Sequence, residues 1–467
     1  MVHTIHLGRL GVALTVLASA ALCGPTTFAH ASTAADEAAA QFGLTSYSLS
    51  TITTTGDIST ALSQAAAVPG TVEEPHLIYL AAGEYQLRGS VRVADRVYLA
   101  AESGTTVTLA ATADQMLWFP ASVTAGVYGG SWDAQGRGSA SVFAAATARL
   151  QVAHLTLRNA GKHGLAGYRG VDLSLTDVTA TANKVDGVHL DGSRLTATGL
   201  TATANQRNGV QLSAGSSATI TDSILDANGL AVRGSTTGKT GHGLGLSSSS
   251  VTVIDTSISA NKVCGISSTG KSALSVSGVH ADRNGRHGLG TSAGAQASVS
   301  NSTFLSNGYN GVLATGSGTV LTLTGVQIAD SRQYGISLPG KGAVTLSDTS
   351  VVRSGKSNIA GSGKSRLTLQ ANNLISAAKA HGVALASRST LSITGTGNQL
   401  NDNAGNALML SDKGTTGRIT ATVSYQGNRG AAVLVRKKAR LYQVPGSYSA
   451  NRRTATTSSG GKIITLR

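Results

Sequence analysis

The sequence predicts an all-β fold, a parallel β-helix in which one short set of strands repeats along the chain. A glycine recurs at steps of mostly 22 to 24 residues from about residue 148 onward, and an aliphatic residue follows it. The 467-residue chain has 58 Gly, 6 Pro, 4 % aromatic and 13 % charged residues, which favours strands and turns over charged helices. A period of this length in such a composition is typical of a solenoid.

The repeat is defined by its glycine column, with Asn taken to replace glycine twice. The column comprises Gly164, Gly187, Gly209, Gly243, Gly265, Gly288, Gly311, Gly335, Asn358, Gly382 and Asn406. The next residues form an unbroken aliphatic column, which predicts a core ladder with the second and fourth positions after the glycine facing outward. Two further alternating runs per repeat predict three strands per rung, with rungs about 4.8 Å apart.

A second column supports the same repeat. An asparagine stands four residues before the glycine in five repeats, at Asn183, Asn205, Asn261, Asn284 and Asn307. Stacked Asn side chains in a turn bond to one another and to the backbone. We therefore interpret this column as structural.

Four segments follow along the chain. Residues 1–31 have the features of a secretion signal: Arg9, the apolar run 10–22 and an A-x-A cleavage site ending at Ala31. Residues 32–147 are predicted to hold an N-terminal cap and irregular first rungs, with a short capping helix over 57–69. Residues 148–435 form the regular β-helix, and the basic residues 436–467 are expected to cover its other end.

The charge balance narrows the class of partner. The formal net charge is +15, and no segment beyond the signal is long and apolar enough to span a membrane. A secreted basic protein without stacking aromatics or a recognition motif is expected to bind an anionic polysaccharide rather than nucleic acid. After cleavage Cys264 is the only cysteine, so no intramolecular disulfide is expected. The chain is expected to be a monomer.

Titratable residues crowd into the stretch NKVDGVHLDGS, residues 183–193. Strand alternation places His189 and Asp191 side by side on the outward face, with Asp186 in the turn before them. Rung stacking predicts further neighbours of this cluster: Tyr168 below Asp191, Gln211 above His189, and Arg207 and Asn208 at the turn above Asp186. One long step, from Gly209 to Gly243, carries an insertion over 230–242 that is expected to border a groove.

Two motifs resemble the pectin-lyase-like superfamily of right-handed parallel β-helices. The stretch LIYLAAGEYQL (77–87) is similar to its first strand, and GGSWDAQGRG (129–138) is similar to the turn before its regular rungs. The resemblance covers nearly the whole mature chain and implies a right-handed β-helix. It leaves the activity open, because this scaffold serves lyases, hydrolases, epimerases, esterases and adhesins.

The mannuronan C5-epimerases offer the nearest motif likeness. Their catalytic rungs are matched here by HGLAGY (163–168), DGVHLD (186–191) and RNG (207–209). The resemblance places Asp191 on the family's second aspartate and Arg207 on its arginine. The remaining catalytic positions differ: Ala166 replaces Asp, Tyr168 replaces His, His163 replaces Tyr and Asn208 replaces a second His. TGHGLGL (240–246) is similar to a polygalacturonase motif, but the paired aspartates of a hydrolase are absent.

The cluster suits proton abstraction at C5 of a uronate, which precedes both epimerisation and lyase cleavage. We expect His189 to act as the base, Tyr168 as the opposing acid and Arg207 as the clamp for the substrate carboxylate. Asp186 and Asp191 are expected to hold a proton or a cation, with Ca²⁺ the candidate ion and no cofactor strictly required. The expected substrate contacts are His163, Gln211, Asn208 and His242. The alternative is a non-catalytic secreted β-helix that binds anionic glycans or cell wall.

Overall fold

The computed structural model describes residues 2–7, 12–17, 33–230 and 240–466, with side chains from residue 34 onward. The expected cleavage site at Ala31 and most of the insertion, residues 231–239, lie outside the described residues. The chain divides into two compact units, Met1–Ala231 and Val232–Arg467. Each unit is a β-solenoid built from three sheets, as the repeat predicts, and its strands pair in parallel except for Val2–Leu7 and Val12–Leu17, which are antiparallel.

The first unit contains both helices, Thr33–Phe42 and Ser59–Ala66. Its first sheet comprises Val2–Leu7, Val12–Leu17, Tyr47–Ile52, His76–Leu80, Val97–Ala101, Thr124–Tyr128, Arg149–Ala153, Asp172–Thr176, Arg194–Thr198 and Ser217–Thr221. Its second sheet comprises Gly56–Asp57, Glu84–Leu87, Thr106–Leu109, Ser131–Asp133, Thr156–Arg158, Thr179–Thr181 and Thr201–Thr203. Its third sheet comprises Val91–Arg92, Gln115–Phe119, Ala140–Ala144, His163–Tyr168, Val188–Asp191 and Val210–Ser213.

The second unit repeats the arrangement. Its first sheet comprises Ser250–Ile254, Ala273–Ser277, Gln296–Ser300, Val320–Thr324, Ala343–Ser347, Arg366–Leu369, Thr390–Ile393, Thr416–Ile419, Arg440–Gln443 and Lys462–Thr465. Its second sheet comprises Thr303–Leu305, Gln327–Ala329, Ser350–Val352, Leu374–Ser376, Gln399–Asn401, Ser424–Gln426 and Ser447–Ser449. Its third sheet comprises Leu244–Ser247, Ile266–Thr269, Leu289–Ser292, Val312–Thr315, Ile336–Pro339, Ile359–Ser362, Val383–Leu385, Leu408–Leu410, Ala431–Arg436 and Arg453–Ser458.

The aliphatic column lies in the core, as predicted. Leu165, Val188 and Val210 are fully buried and pair in register across three successive turns. Glycine is required before Leu165 and Val188 by close backbone approach, since a Cβ at Gly187 would lie 2.7 Å from the carbonyl oxygen of Gly209 and one at Gly164 equally close to that of Gly187. One alignment was off by a position: Leu408 pairs with Val383, so Ala407, not Asn406, takes the place of glycine there.

The asparagine column forms the expected ladder. In the first unit, Asn183 donates from its Nδ2 to Asn205 Oδ1 at 2.9 Å, and Asn205 donates likewise to Asn228 at 3.0 Å. In the second unit, the same bond joins Asn261 to Asn284 at 3.1 Å. These buried amides tie neighbouring turns together and hold the turn that precedes each third-sheet strand.

The predicted helix over 57–69 is observed at Ser59–Ala66, with Leu62 buried. The Asp57 carboxylate accepts hydrogen bonds from the Ser59 backbone N–H at 3.0 Å and from its hydroxyl at 2.6 Å, which holds the start of the helix. A second helix, Thr33–Phe42, was not predicted. It buries Ala35, Ala38, Ala39 and Phe42 against the first sheet, where the rings of Phe42 and Tyr98 lie 4.9 Å apart.

The second unit departs from three strands per rung in two turns. There the second sheet is reduced to single bridges, which pair Ser257 with His280 and His280 with Thr303. At its C-terminal end, Arg440 pairs with Lys462 and Ala431 with Arg453, so the basic segment continues the strands of the sheets. Its covering role stays a prediction. No helix in the described ranges is both long and apolar enough to cross a membrane.

Candidate active site

The strand Val188–Asp191 presents the predicted outward pair. Val188 and Leu190 are fully buried, whereas His189 and Asp191 are half-buried on the other face. In the register, His189 stands between Ala166 and Gln211. Asp191 stands between Tyr168 and Ser213. Tyr168 and Gln211 are therefore observed at the positions expected from rung stacking.

Asp186 is the centre of the cluster. Its side chain is 2 % exposed, and Oδ1 accepts a hydrogen bond from the backbone N–H of Asn208 at 3.1 Å. The other oxygen, Oδ2, lies 3.0 Å from His189 Nδ1 and 3.3 Å from His163 Nδ1. One buried carboxylate thus holds two imidazoles, each by its Nδ1.

The two histidines are not equivalent. Their rings lie 4.4 Å apart, but only His189 meets Asp186 with hydrogen-bond geometry. His163 Nδ1 is within ion-pair distance of the carboxylate, yet it has no hydrogen-bond partner among the described residues. A hydrogen bond weakens steeply when the donor and acceptor are misaligned, so Asp186 holds the His189 ring more firmly than the His163 ring.

The protonation states follow from burial and contacts. Burial alone would raise the pKa of Asp186, but the adjacent His163 and His189 imidazoles outweigh burial and hold that pKa well below its usual range. Burial lowers the pKa of His163 more than Asp186 raises it. The cluster at neutral pH therefore contains an ionised Asp186 and a neutral His163.

Tyr168 lies beside His189, with ring centroids 5.7 Å apart, and its other neighbour Phe143 is also at 5.7 Å. Burial first, then the charges of Asp191 and Asp186, raise the pKa of the Tyr168 phenol. The hydroxyl stays protonated through neutral and mildly alkaline pH. A phenol in that state can donate a proton next to an imidazole that accepts one.

The remaining predicted residues divide into three groups. Asn208 is buried and donates from its side chain to Gln211 Oε1 at 3.0 Å, so these two amides hold each other beside the cluster. Arg207 is exposed, and its guanidinium makes no ion pair within the described ranges. His242 belongs to the second unit, where it is buried and its Nδ1 accepts the backbone N–H of Cys264 at 3.3 Å.

The residues whose potential ligand atoms lie close together differ from the expected pair of aspartates. In the described part of the chain, one group of three His, Cys, Asp or Glu residues has its ligand atoms within 4.8 Å of one another: His163, Asp186 and His189. Asp191, the expected calcium partner of Asp186, is not a member. His163, expected only as a substrate contact, is a direct partner of Asp186. The sequence does indicate that these two residues are neighbours, since His163 and Asp186 both precede an aligned glycine and therefore stack on successive turns.

Solved structures with a similar chain path include the A-module of a mannuronan C-5 epimerase from Azotobacter vinelandii (15 % identity, TM-score 0.44, 88 % of this chain and 94 % of that one). A pectate lyase matches at 14 % identity and a TM-score of 0.39, over 52 % of this chain and 70 % of that one. A Geobacillus virus E2 protein matches at 12 % identity and a TM-score of 0.44, over 58 % of this chain and 54 % of that one. At these values the likenesses carry no argument about activity.

Two family models match parts of the sequence. Residues 223–342 match the family described as Periplasmic copper-binding protein (NosD), a stretch that contains none of His163, Asp186 and His189. Comparison with curated protein sequences gives no match. Residues 135–281 and 284–442 match the family described as Right handed beta helix region. These two segments span more than half of the chain, so the protein belongs to the right-handed β-helix family, and the pectin-lyase-like fold expected from its motifs is confirmed.

Proposed function

We propose that this protein is a secreted polysaccharide lyase or C5-epimerase that abstracts the C5 proton of an anionic uronate polymer. The observation that carries the proposal is the contact between the buried Asp186 carboxylate and His189 Nδ1, at 3.0 Å. A carboxylate on Nδ1 holds the proton on that nitrogen and leaves the lone pair on Nε2. No hydrogen bond within the described residues occupies His189 Nε2, which suits a general base.

The proposed reaction begins with transfer of the C5 proton to His189 Nε2. Charge builds up on the substrate carboxylate, which Arg207 would neutralise from its exposed position. In the lyase outcome the C4–O4 bond breaks, the ring gains a C4–C5 double bond, and Tyr168 gives its proton to O4. In the epimerase outcome Tyr168 returns a proton to C5 from the opposite face. Asp186 is a positioning residue in both, while Gln211 would contact the sugar and the buried Asn208 would hold Gln211 in place.

Two assays on alginate, pectate and glycosaminoglycans test this proposal. Ultraviolet absorbance detects unsaturated uronates, and deuterium incorporation at C5 by NMR detects an epimerase that never cleaves. We expect one signal in the wild type and a fall of about 10²-fold or more in H189Q. The matched control is H154Q, because His154 also faces a carboxylate, Asp177, at 3.4 Å but on the exposed surface. The absence of both signals on every uronan contradicts the proposal.

A specific observation favours the alternative, a non-catalytic protein that binds anionic glycans. In the second unit, Lys413, Lys438, Arg440 and Lys462 line one open cleft of about 510 Å³. Four cations with no acid among the lining residues form an anion-binding surface. Retained affinity for uronans without either catalytic signal would support this function over the first.

A further inference from the structure

The cluster around Asp186 has the dimensions of a metal site. In a tetrahedral zinc site, with bonds of about 2.0 to 2.1 Å, neighbouring ligand atoms lie about 3.3 Å apart. The Oδ2–Nδ1 distances of 3.0 Å to His189 and 3.3 Å to His163 differ from that value by only tenths of an ångström. An ion could therefore enter the cluster with small side-chain rotations.

An unsatisfied group points to the same conclusion. His163 Nδ1 is buried, faces the carboxylate and has no hydrogen-bond partner in the described part of the chain. Buried polar atoms are normally satisfied, so an orphaned ring nitrogen calls for an explanation such as an ion.

The surroundings prepare the carboxylate as a ligand. Asp186 Oδ1 is held by the Asn208 backbone N–H at 3.1 Å, which directs Oδ2 at both imidazoles. Outer-shell bonds of this kind orient metal ligands. Of the three side chains His189 is the most exposed, at 20 %, against 11 % for His163 and 2 % for Asp186, so an open coordination position would face its side.

We propose that His163 Nδ1, His189 Nδ1 and Asp186 Oδ2 bind one divalent transition metal ion of the zinc or copper class. Two imidazoles and one carboxylate suit these ions, whereas Ca²⁺ requires six to eight oxygens. Binding at Nδ1 moves the single proton of a neutral imidazole from Nδ1 to Nε2 through solvent, so no net proton is released from a neutral ring. Three protein ligands leave a fourth position for water or a substrate oxygen.

Metal binding has a consequence that rests on the proposed function. When Nδ1 of His189 is bound to the ion, the single proton of the neutral ring lies on Nε2. That nitrogen then has no free lone pair and cannot act as the base. The metal-loaded form should therefore abstract the C5 proton more slowly than the metal-free form. Binding itself is measured without any polysaccharide, so failure of the metal proposal and failure of the uronate proposal are separate results.

The binding experiment uses the full chain without a His-tag, stripped with a chelator and titrated with Zn²⁺ by calorimetry. We expect one high-affinity Zn²⁺ per chain, and at least about 10-fold weaker binding in H163Q, D186N and H189Q. H154Q, which alters the exposed pair with Asp177, should bind as the wild type does. Absence of binding in the wild type, or binding in H163Q or H189Q as tight as in the wild type, would overturn the proposal.

A second measurement needs no variant and so does not depend on how substitutions fold. Electron paramagnetic resonance of the Cu²⁺-loaded wild type should show coupling to two imidazole nitrogens. Absorbance of the Co²⁺-loaded protein should show the strong visible bands of a four-coordinate ion. A copper signal without two coupled nitrogens, or a weak octahedral cobalt spectrum, contradicts the assignment.

Discussion

Asp186 is a charge that the fold has almost removed from water. Desolvation of a carboxylate is costly unless hydrogen bonds replace the lost water. Two hydrogen bonds do so here, from the Asn208 backbone N–H at 3.1 Å and from His189 Nδ1 at 3.0 Å, while His163 Nδ1 lies 3.3 Å away without hydrogen-bond geometry. The balance favours the ionised form, since the contacts lower the pKa despite the burial.

The lowered pKa of Asp186 predicts how the stability of the fold depends on pH. Because the folded pKa of Asp186 lies below its unfolded value of about 3.9, its contribution is complete above that pH and is lost as the pH falls through the folded pKa. D186N should therefore be less stable than the wild type by about 2 to 3 kcal/mol at pH 6. The difference should shrink below about pH 4. Thermal unfolding between pH 2 and 7 measures it.

The control is D172N, which removes an exposed carboxylate from a strand of the same unit. This variant should unfold like the wild type at pH 6. A D186N deficit that persisted unchanged to pH 2 would show that shape, and not charge, stabilises the cluster.

Tyr168 permits a test of the proposed acid. Y168F keeps the ring contacts with His189 and Phe143 at 5.7 Å and removes only the hydroxyl. We expect kcat on the responsive uronan to fall about 10²-fold with little change in KM. Y128F is the matched control, because Tyr128 is a half-buried tyrosine of the same unit that donates to Glu37. An unchanged kcat in Y168F removes the phenol from the reaction.

Much of this site follows from periodicity in the sequence. The outward pair His189 and Asp191, and the position of Tyr168 beside Asp191, follow from strand alternation and the constant step between rungs. The link between Asp186 and His163 was missed, although both precede an aligned glycine. Periodicity predicts which residues stack, but the direction of a side chain in a turn depends on local backbone geometry.

At the scale of the element, the turn before each third-sheet strand combines a ladder asparagine with strained backbone. Ala182, Ala204 and Ala227, each directly before a ladder Asn, have φ of 56°. L-residues other than Gly, Asn and Asp rarely adopt this left-handed conformation. Alanine carries no signal for such a turn, so the sequence could not predict it. The buried amides of the ladder offset the strain.

Asn205 is the test of that ladder. Its Oδ1 accepts from Asn183 N and Nδ2, and its Nδ2 donates to Ala180 O and Asn228 Oδ1, all at 2.9 to 3.1 Å. N205A leaves these buried partners unsatisfied, so we expect the free energy of unfolding to fall by about 2 to 4 kcal/mol. Denaturant unfolding measures the change.

Gln206 supplies the control for N205A, since it is the adjacent amide and its side chain makes no hydrogen bond in the described ranges. Q206A should change the free energy of unfolding by less than about 0.5 kcal/mol. Equal effects of the two substitutions would mean that the ladder contributes nothing beyond an ordinary surface amide.

At the scale of the whole molecule, charge governs the choice of partner. The formal net charge of +15 favours polyanions, and the cleft at Lys438, Arg440 and Lys462 concentrates cations within the second unit. Secretion, proposed from residues 1–31, would bring this charge into contact with extracellular glycans. Attraction between exposed charges weakens as salt is added.

Charge reversal tests the basic cleft. K438E should weaken binding to alginate or pectate several-fold at low salt, with the difference from the wild type shrinking as ionic strength rises. The matched control is K271E, which reverses an exposed lysine outside the cleft in the same unit. Affinity electrophoresis over a salt series measures both. Equal losses in the two variants would indicate a response to net charge rather than a site.

The repeat length, the core ladder and the Asn ladder are all evident in the order of residues. These features arise from a local spacing that every turn repeats. Each aligned column therefore contains many residues in the same structural environment, and their shared residue type reveals that environment. The helix Thr33–Phe42 is not evident in the order of residues, and for His163 and Asp186 that order shows only that the two positions stack, not that their side chains meet. They depend on contacts between residues one turn or more apart, where backbone direction and burial decide which groups meet. The proposed chemistry and the proposed metal site both depend on those contacts.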